Sequence, residues 1–478
     1  MNPEFSEPDF PLPLLNGQRP RICLLSMSPI ADDPRVRRQG DAFHAAGWQV
    51  FAVGLPGGQS PLPSWTVLTP EILDLPEAGR PAGLHRRQMQ ASAALPVSNI
   101  KGIERFFRVL LPGLGRSAVN SIVRPVLKPA YGDEMMRRVG LLEHYWQHFL
   151  LRFFPNHFPH VYFSDYNCRR FYETARLVDA DIIIANDWHT LPVAMLCAQE
   201  QGIPFGYDSH EYALEEYGHS WKWRLVRRPF TRAVEAAGVR QAAVISCVST
   251  PIAAGIQQAY GLEQTPLVIR NAAHYVDIPA APCHRPITVL YHGIIVPTRG
   301  IEDSIISVKD WRPEFRYHLR GPVSEGFRTE LSGLINRYGL HDRVAILPPV
   351  PMVDLIHAAA DADIGLSSAP FLNRHNGAAL PNKFFEYIQA GLALIVPATA
   401  DMEQLVTAHD LGLALRDVSA RVIAEAVNSL TPEAVTRYKA NARRAAKFLN
   451  WEYESRILIT AYAAALQLPV STKFETAA

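Results

Sequence analysis

Asn382, Lys383 and Glu386 are the residues whose types and spacing are best suited to binding a ligand. If a helix begins here, the free N–H groups of Asn382 and Lys383 attract an anion, and the Lys383 side chain adds a positive charge. Glu386 lies one turn further along the same face, where its carboxylate can accept hydrogen bonds from hydroxyl groups. A phosphate site beside a hydroxyl acceptor indicates a nucleotide diphosphate with its ribose. The alternative is an ordinary capped helix packed on a strand, and residues elsewhere must decide between the two.

The flanking residues predict the helix that this site requires. Pro381 suits the first turn because proline has no N–H to lose, and Gly391 suits a left-handed exit from the last turn. An apolar run from Leu392 to Val396 follows. The segment therefore predicts a short helix that brings its N-terminus and Glu386 to one site.

Polar clusters that contain histidine follow two other predicted strands. Asp181 to Ala185 and Pro204 to Tyr207 are apolar runs typical of buried strands. Parallel strands end at one edge of their sheet, and ligands of such folds bind there. A single histidine is more often structural than catalytic, yet His210 lies at this edge and is our catalytic candidate. The clusters supply three further candidates: Asp187, His189 and Glu211.

The N-terminal part of the chain predicts the start of a doubly wound parallel sheet. Arg21 to Met27 and Trp48 to Leu55 are predicted strands, and Val36 to Ala46 is the helix between them. The intervening loop places Asp33 and Arg35 at the edge of the expected cleft. Solvated loop charges are the alternative interpretation for each of them.

The second half of the chain repeats this alternation and adds basic residues. Ile287 to Tyr291 is a predicted strand whose following loop contains Gly293 and ends near Arg299, and a later strand ends at Arg320. Positive charge of this kind can stabilise a diphosphate leaving group, on which negative charge grows as its bond breaks. Gly293, Arg299 and Arg320 therefore join the candidate site.

These patterns divide the chain into two α/β domains joined by a proline-bearing linker. The predicted parts are a mobile leader (1–20), an N-terminal domain (21–271), a linker (272–286), a C-terminal domain (287–450) and a final helix (451–470). A helical insertion at 85–172 mixes aromatic and basic residues. It is interpreted as packing on the sheet, with contact to an anionic membrane surface as the alternative.

Composition limits the class of protein and its compartment. With 478 residues, 48% hydrophobic and 19% charged, the chain has enough apolar residues for two or three cores. A net charge of +1 argues against nucleic-acid binding. Five scattered cysteines, no signal-peptide pattern and no long apolar run favour a cytoplasmic protein, or one peripheral to the inner face of a membrane. A P-loop and a GxGxxG fingerprint are both absent, which argues against ATP hydrolysis and dinucleotide oxidoreduction.

Three segments together resemble the retaining glycosyltransferases of family 4, which have the two-domain GT-B fold. They are YDSHE at 207–211, YHG at 291–293 with RGIED at 299–303, and LPNKFFEYIQAGLALIVP at 380–397. The resemblance follows the family's order and covers most of the chain, apart from the leader and much of 85–172. It implies two Rossmann-like domains that face each other across a cleft, with the acceptor on the first and the nucleotide sugar on the second.

The resemblance also implies roles for individual residues. Glu386 would bind the ribose of the donor, Arg299 its diphosphate, and His210 would sit beside the transferred sugar. The loop at Asp33 and Arg35 would lie near the acceptor, as would the other candidates of the first domain. The final helix would cross back to that domain. The implied reaction is sugar transfer with retention from a UDP-, GDP- or other nucleotide sugar, with no metal or cofactor required.

Two positions depart from the family pattern and leave other functions open. Many members have a glutamate that touches the donor sugar where this chain has Ala378, and an arginine where it has Ile294. We expect a transferase that builds a surface polysaccharide, glycolipid or similar glycoconjugate. The alternatives are a nucleotide-sugar epimerase of the same fold and a degenerate transferase that serves as a binding or scaffold subunit. The sugar, the base, the acceptor and the linkage are not predicted.

Overall fold

Two parallel β-sheets, each flanked by helices, form the frame of the molecule. The computed structural model describes residues 14–58, 60–70, 146–371 and 374–468. The predicted leader lies outside these residues as far as position 13, and the predicted insertion does so from 85 to 145. The prediction of two doubly wound α/β halves is confirmed.

The first sheet lies in the N-terminal half. Its strands are β1 (Arg21–Leu25), β2 (Gln49–Val53), β3 (Thr66–Leu68), β4 (Ile182–Asn186), β5 (Phe205–Ser209), β6 (Val244–Cys247) and β7 (Leu267–Val268). All neighbours pair in parallel, in the order β3-β2-β1-β4-β5-β6-β7. The order reverses between β1 and β4, and the carboxyl ends of strands at such a switch point form a crevice for ligands.

The second sheet repeats this topology. Its strands are β8 (Ile287–His292), β9 (Phe315–Arg320), β10 (Val344–Leu347), β11 (Ile364–Leu366), β12 (Ala393–Pro397) and β13 (Gly412–Leu415). They pair in parallel in the order β10-β9-β8-β11-β12-β13, so the switch point lies between β8 and β11. Strands β4, β5 and β12 are buried at every position, as expected for parallel strands covered by helices on both faces.

Helices cover both sheets, and the loops that connect strands to helices face the cleft. The α-helices whose two ends lie within the described residues are α1 (Pro34–Ala45), α2 (Phe158–Tyr162), α3 (Tyr166–Ala175), α4 (Leu191–Gln201), α5 (Arg228–Val239), α6 (Thr250–Tyr260), α7 (Ile301–Ser307), α8 (Glu325–Arg337), α9 (Leu355–Ala359), α10 (Arg374–Ala378), α11 (Asn382–Gln389), α12 (Ala400–His409), α13 (Ala420–Ser429), α14 (Pro432–Ala446) and α15 (Trp451–Ala465). Among these described residues, no helix is both long and apolar enough to cross a membrane.

Helix α1 begins two residues earlier than predicted. The Asp33 carboxylate accepts hydrogen bonds from the N–H groups of Arg35 and Val36, and Pro34 occupies the first helical position. An aspartate cap followed by proline is a strong helix start, because the carboxylate satisfies donors that otherwise lack partners. Arg35 is therefore a helical residue and points inward.

Helix α15 belongs to the chain's C-terminus but packs on the first sheet. Leu458 and Tyr462 lie in the same buried cluster as Ile22 of β1 and Ile184 of β4. Gly206 of β5 is required here, because a Cβ at that position would lie 2.1 Å from the Tyr462 hydroxyl. The final helix thus ties the end of the chain to the N-terminal half.

Five of these helices and strands were not predicted from the sequence: β3, α8, α10, α12 and β13. Strands β3 and β13 are short, lie at the edges of their sheets and contain no fully buried residue. A strand of three or four residues is too short for its apolar pattern to distinguish a strand from other structure.

Candidate active site

Helix α11 presents its N-terminus at the carboxyl edge of the second sheet. It begins at Asn382, and Pro381 is the capping residue, with extended backbone (φ −74°, ψ 151°) and no side-chain cap. Proline therefore lies one position before the predicted one. Gly391 has φ 68°, which is the left-handed exit that the sequence predicted. Without a side chain to cap them, the first N–H groups of the helix remain available to an anion.

Lys383 extends from this helix into a pocket lined also by Tyr291, Arg299 and Asn376. Its Nζ lies 3.7 Å from the centre of the Tyr291 ring, which is cation–π contact. Burial and the charge of Arg299 lower the pKa of Lys383 to about 7, although Glu386 acts in the opposite direction. Two cations that repel each other in one pocket are an environment suited to an anionic ligand.

Glycines let the backbone approach this pocket closely. Gly293 has φ 115°, and a Cβ at that position would lie 3.6 Å from Lys383 Nζ. Gly300 has φ 69°, and a Cβ there would lie 2.0 Å from the Ser368 carbonyl oxygen. The Ser368 hydroxyl donates to the Arg299 carbonyl at 3.1 Å, so the loop is fixed while the Arg299 side chain stays exposed.

Glu386 is held by a histidine that sequence reasoning did not select. His292 Nε2 lies 2.8 Å from Glu386 Oε2, and the His292 side chain is 1% exposed. The main-chain N–H of His292 donates to the Tyr387 hydroxyl at 3.0 Å. Its place in the YHG segment, at the end of a predicted strand, was the sequence signal that could have identified His292 as a site residue.

In the first half, His210 lies among acidic residues at the ends of β4 and β5. Its Nε2 is 3.0 Å from Asp208 Oδ2 and 3.0 Å from Asn186 Oδ1, and its Nδ1 is 3.3 Å from Asp187 Oδ2. Asp187 also accepts the main-chain N–H of His210 at 2.9 Å. Burial disfavours the imidazolium, but Asp187 and Asp208 outweigh this and raise the pKa of His210 to about 9. His210 is therefore cationic at neutral pH.

Arg35 lies behind His210 and does not line the cleft. Its Nε and Nη2 bind both oxygens of Asp208 at 2.7 and 2.8 Å, and the arginine side chain is 2% exposed. Gln39 and Ser246 donate to the same carboxylate at 2.6 Å each. Arg35, followed by His210, outweighs the effect of burial and holds the pKa of Asp208 far below its usual range. Arg35, predicted to lie on the acceptor side, is thus buried and holds Asp208, the residue that contacts His210.

Other predicted residues of the first half have local structural contacts. The Asp33 carboxylate caps α1 and also accepts from the Ser28 hydroxyl at 2.5 Å. The His189 ring stacks on Trp188 with a centroid separation of 3.8 Å. Asp187 adopts φ 61°, which is unusual for a residue with a side chain and turns its carboxylate toward His210.

Glu211 joins the two halves across the cleft. Its Oε2 lies 3.1 Å from Nε2 of His375, which is on α10 of the second half. Desolvation and the neighbouring carboxylates raise the pKa of Glu211 to about 8, and the nearby charges of His210 and Arg299 offset this only in part. Ala378, on the same short helix, is buried, and its carbonyl accepts from the Ser249 hydroxyl at 2.8 Å. The described structure thus places Glu211 beside the predicted diphosphate group.

Arg320 and Arg38 differ from prediction in opposite ways. Arg320 Nη1 donates to the Ala358 carbonyl of α9 at 2.6 Å, so its guanidinium supports a helix. Arg38 was not selected; its guanidinium donates to the Asn271 side chain and lies 5.7 Å from the Trp451 ring. Burial and the charge of Arg35 lower its pKa to about 10, and Glu386 of the other half partly offsets them. The first half therefore contributes a cation near the predicted ribose group.

Together these contacts define one cleft with two kinds of wall. The second half provides a helix N-terminus, Lys383 and Arg299 for an anion, with Glu386 fixed beside them. The first half provides the His210 imidazolium within a carboxylate cluster. Such fixed charges can stabilise a leaving diphosphate and orient the group that departs from it.

Two family models match the chain, one in each half. A model described as Glycosyltransferase Family 4 matches residues 100–273, and a model described as Glycosyl transferase-like matches residues 304–459. A comparison with curated protein sequences finds no match.

Solved glycosyltransferase structures share the fold at low sequence identity. Sucrose-phosphate synthase from Thermosynechococcus elongatus has TM-score 0.58 and 16% identity over 94% of this chain and 100% of its own. Anabaena HepE in complex with UDP and glucose has TM-score 0.56 and 14% identity over 93% of this chain and 100% of its own. The pneumococcal O-GlcNAc transferase GtfA with UDP and GlcNAc has TM-score 0.51 and 14% identity over 63% of this chain and 60% of its own.

The two parallel sheets match these GT-B structures, and the family matches extend over both halves. The chain belongs to glycosyltransferase family 4 and is a retaining, nucleotide-sugar-dependent sugar transferase.

Proposed function

We propose that the cleft transfers a sugar from a nucleotide sugar to a glycan, glycolipid or similar glycoconjugate in surface polysaccharide synthesis. Arg299, Lys383 and the N-terminus of α11 bind the diphosphate, and Glu386 binds the ribose. His210 lies beside the transferred sugar. The observation that carries this proposal is that Lys383 and Glu386 share one helix face. Lys383 has no carboxylate partner among the residues that the structure describes and can bind an anion, and Glu386 is held by His292 and can accept hydrogen bonds from hydroxyl groups.

The charge on His210 supports its place at the reaction centre. An imidazolium held by Asp187 and Asp208 directs both of its N–H groups at these carboxylates, so it acts on the sugar and on the departing phosphate oxygen through its fixed positive charge. The acidic residues Asp187 and Glu211 border the space beside it and are acceptor-side candidates, as are Asp33 and His189. Arg35 acts on the acceptor side only through Asp208.

UDP-glucose is the first donor to test. The structures of Anabaena HepE include complexes with UDP and with UDP-glucose. GDP- and ADP-sugars are the next candidates, because the groups assigned above recognise diphosphate and ribose and contact no base.

A thermal-shift panel of UDP, GDP and ADP with their glucose esters tests the donor site. A ligand present at about 100 times its Kd stabilises the native protein by about 2.7 kcal/mol. Lys383→Met should abolish the shift, because the ammonium facing the diphosphate is lost. Lys309→Met is the matched control, since Lys309 also lies over a tyrosine ring, at 5.8 Å, but outside the cleft. An equal ligand shift in Lys383→Met and the parent would contradict the assignment.

A donor-only incubation separates the remaining functions. The transferase should leave the nucleotide sugar intact or hydrolyse it slowly, whereas an epimerase would convert the sugar. Glu386→Ala should raise the donor KM or abolish transfer. A chain that no nucleotide stabilises would instead be a scaffold subunit.

A further inference from the structure

His292 makes a bond to Glu386 that fixes one side of the carboxylate. The two atoms, His292 Nε2 and Glu386 Oε2, lie 2.8 Å apart at the end of β8. The histidine side chain is 1% exposed, and the glutamate side chain is 19% exposed. In the described part of the chain, Glu386 has no second hydrogen-bond donor, so Oε1 is open to a ligand.

The imidazole is itself held in place by the residue after Glu386. The His292 and Tyr387 rings pack with centroids 4.6 Å apart. The Tyr387 hydroxyl accepts from the His292 main-chain N–H at 3.0 Å and donates to the Leu366 carbonyl at 3.2 Å. Strands β8 and β11 and helix α11 are thereby linked at the switch point of the second sheet.

The hydrogen-bonding pattern also defines which nitrogen carries the proton. His292 Nδ1 is buried and has no hydrogen-bond partner among the described residues. A proton on Nδ1 would leave a buried donor unsatisfied, whereas a proton on Nε2 can be donated to Glu386. The tautomer with Nε2–H therefore donates to Oε2 of Glu386 and leaves Oε1 to accept hydrogen bonds from a ligand.

We propose that His292 is a positioning residue that orients Glu386 toward the ribose hydroxyls of the bound nucleotide. A surface glutamate samples several rotamers, and a ligand must restrict them on binding. The bond to His292 removes that freedom beforehand, so ribose recognition depends on a side chain that touches no ligand. This inference rests on the proposed function, because it takes Glu386 as the ribose-binding group.

Two substitutions separate positioning from a structural role. His292→Phe keeps a ring against Tyr387 but removes the donor. His292→Gln keeps an N–H group at the end of a flexible chain and should partly rescue the contact. His318→Phe is the control, because His318 lies on the neighbouring strand β9 and has no assigned role in the cleft.

The experiment measures ribose discrimination by calorimetry on the full chain. Whichever of UDP, GDP and ADP binds the parent most tightly is compared with its 2′,3′-dideoxy form. We expect the parent and His318→Phe to prefer the ribose form at least about tenfold. His292→Phe and Glu386→Gln should reduce this ratio to near one, and His292→Gln should give an intermediate value.

The outcomes distinguish failure of this inference from failure of the proposed function. A parent that binds none of the three nucleotides would overturn both. A His292→Phe protein that folds and keeps the parent ratio would overturn only the role of His292. A parent ratio near one would overturn the inference together with the ribose role of Glu386, while nucleotide binding itself would still support the diphosphate site. If His292→Phe does not fold, His292→Asn provides the same comparison, because its side chain is too short to reach Glu386.

Discussion

Each wall of the cleft holds a cationic side chain, and the two walls compensate that charge differently. In the first half, Asp187 and Asp208 enclose His210 and raise its pKa to about 9 against the effect of burial. In the second half, burial and Arg299 lower the pKa of Lys383 to about 7. No carboxylate of the described residues lies within salt-bridge distance of the Lys383 ammonium, which lies over an aromatic ring instead.

This difference indicates a division of labour between the halves. The first wall is already compensated, so a ligand gains little by neutralising it, and its cation is held in a fixed orientation. The second wall holds cations that repel each other until an anion arrives. If the site acts as proposed, we expect the binding free energy of the donor to come chiefly from the second wall and the first wall to supply preorganised charge during transfer.

The largest effect should follow from breaking the buried support of the first wall. Arg35→Met leaves Asp208 buried without its main cation, and loss of one partner of a buried ion pair costs about 3–5 kcal/mol of unfolding free energy. Arg37→Met is the control, because Arg37 pairs with Asp41 on the surface and should cost less than about 1 kcal/mol. Denaturant titration measures both. Equal losses would show that Gln39 and Ser246 suffice to hold Asp208.

Removal of the cation of the first wall should chiefly affect turnover. His210→Asn keeps a polar side chain but loses the charge, and loss of one preorganised electrostatic group lowers kcat by about 10²-fold. The Kd of the nucleoside diphosphate should change little, since that ligand lies on the other wall. His274→Asn, at an exposed histidine paired with Glu452 outside the cleft, should retain parental kcat. A variant of His210 that weakens nucleotide binding and spares kcat would contradict the comparison.

Local sequence patterns predicted the elements that carry the second wall. Helix α11 and its glycine exit follow from residues within one short segment, so their geometry is set by local chemistry. Apart from β3, the strands of the first sheet were likewise predictable from their apolar runs. Lys383 and Glu386 share a face because helical periodicity requires it.

Long-range contacts explain what the sequence could not predict. His292 and Glu386 are 94 positions apart, and Arg35 and Asp208 are 173 apart. Arg35 was placed at the cleft edge because the helix was predicted to start at Val36, whereas the Asp33 cap starts it at Pro34 and turns Arg35 inward. Such pairings depend on the register of strands in the folded sheet, and residue spacing does not encode that register.

The pH dependence of donor binding should distinguish the second wall from the first. Lys383 is protonated below about pH 7 and loses its proton above it, and a diphosphate favours the protonated form. The Kd for the nucleoside diphosphate should therefore rise by up to about tenfold for each pH unit above 7. In Lys383→Arg the charge persists, so the Kd should be nearly flat between about pH 7 and pH 9. Titration of the ligand itself affects both proteins equally, so the comparison of their Kd values by calorimetry removes it. Parallel plots of Kd against pH for the two proteins would contradict the assignment of Lys383 to the diphosphate.

The smallest effect should come from the contact that bridges the walls. Glu211 lies 3.1 Å from His375 in the opposite half, but its side chain is 54% exposed, so solvent screens the interaction. We expect a double-mutant cycle of Glu211→Gln and His375→Asn to give a coupling below about 1 kcal/mol in unfolding free energy. A larger coupling would mean that the walls are held together by this pair and do not act independently. A coupling as weak as expected here would mean that a substitution in one wall does not disturb the other. The different effects predicted for His210 and Lys383 variants depend on that independence.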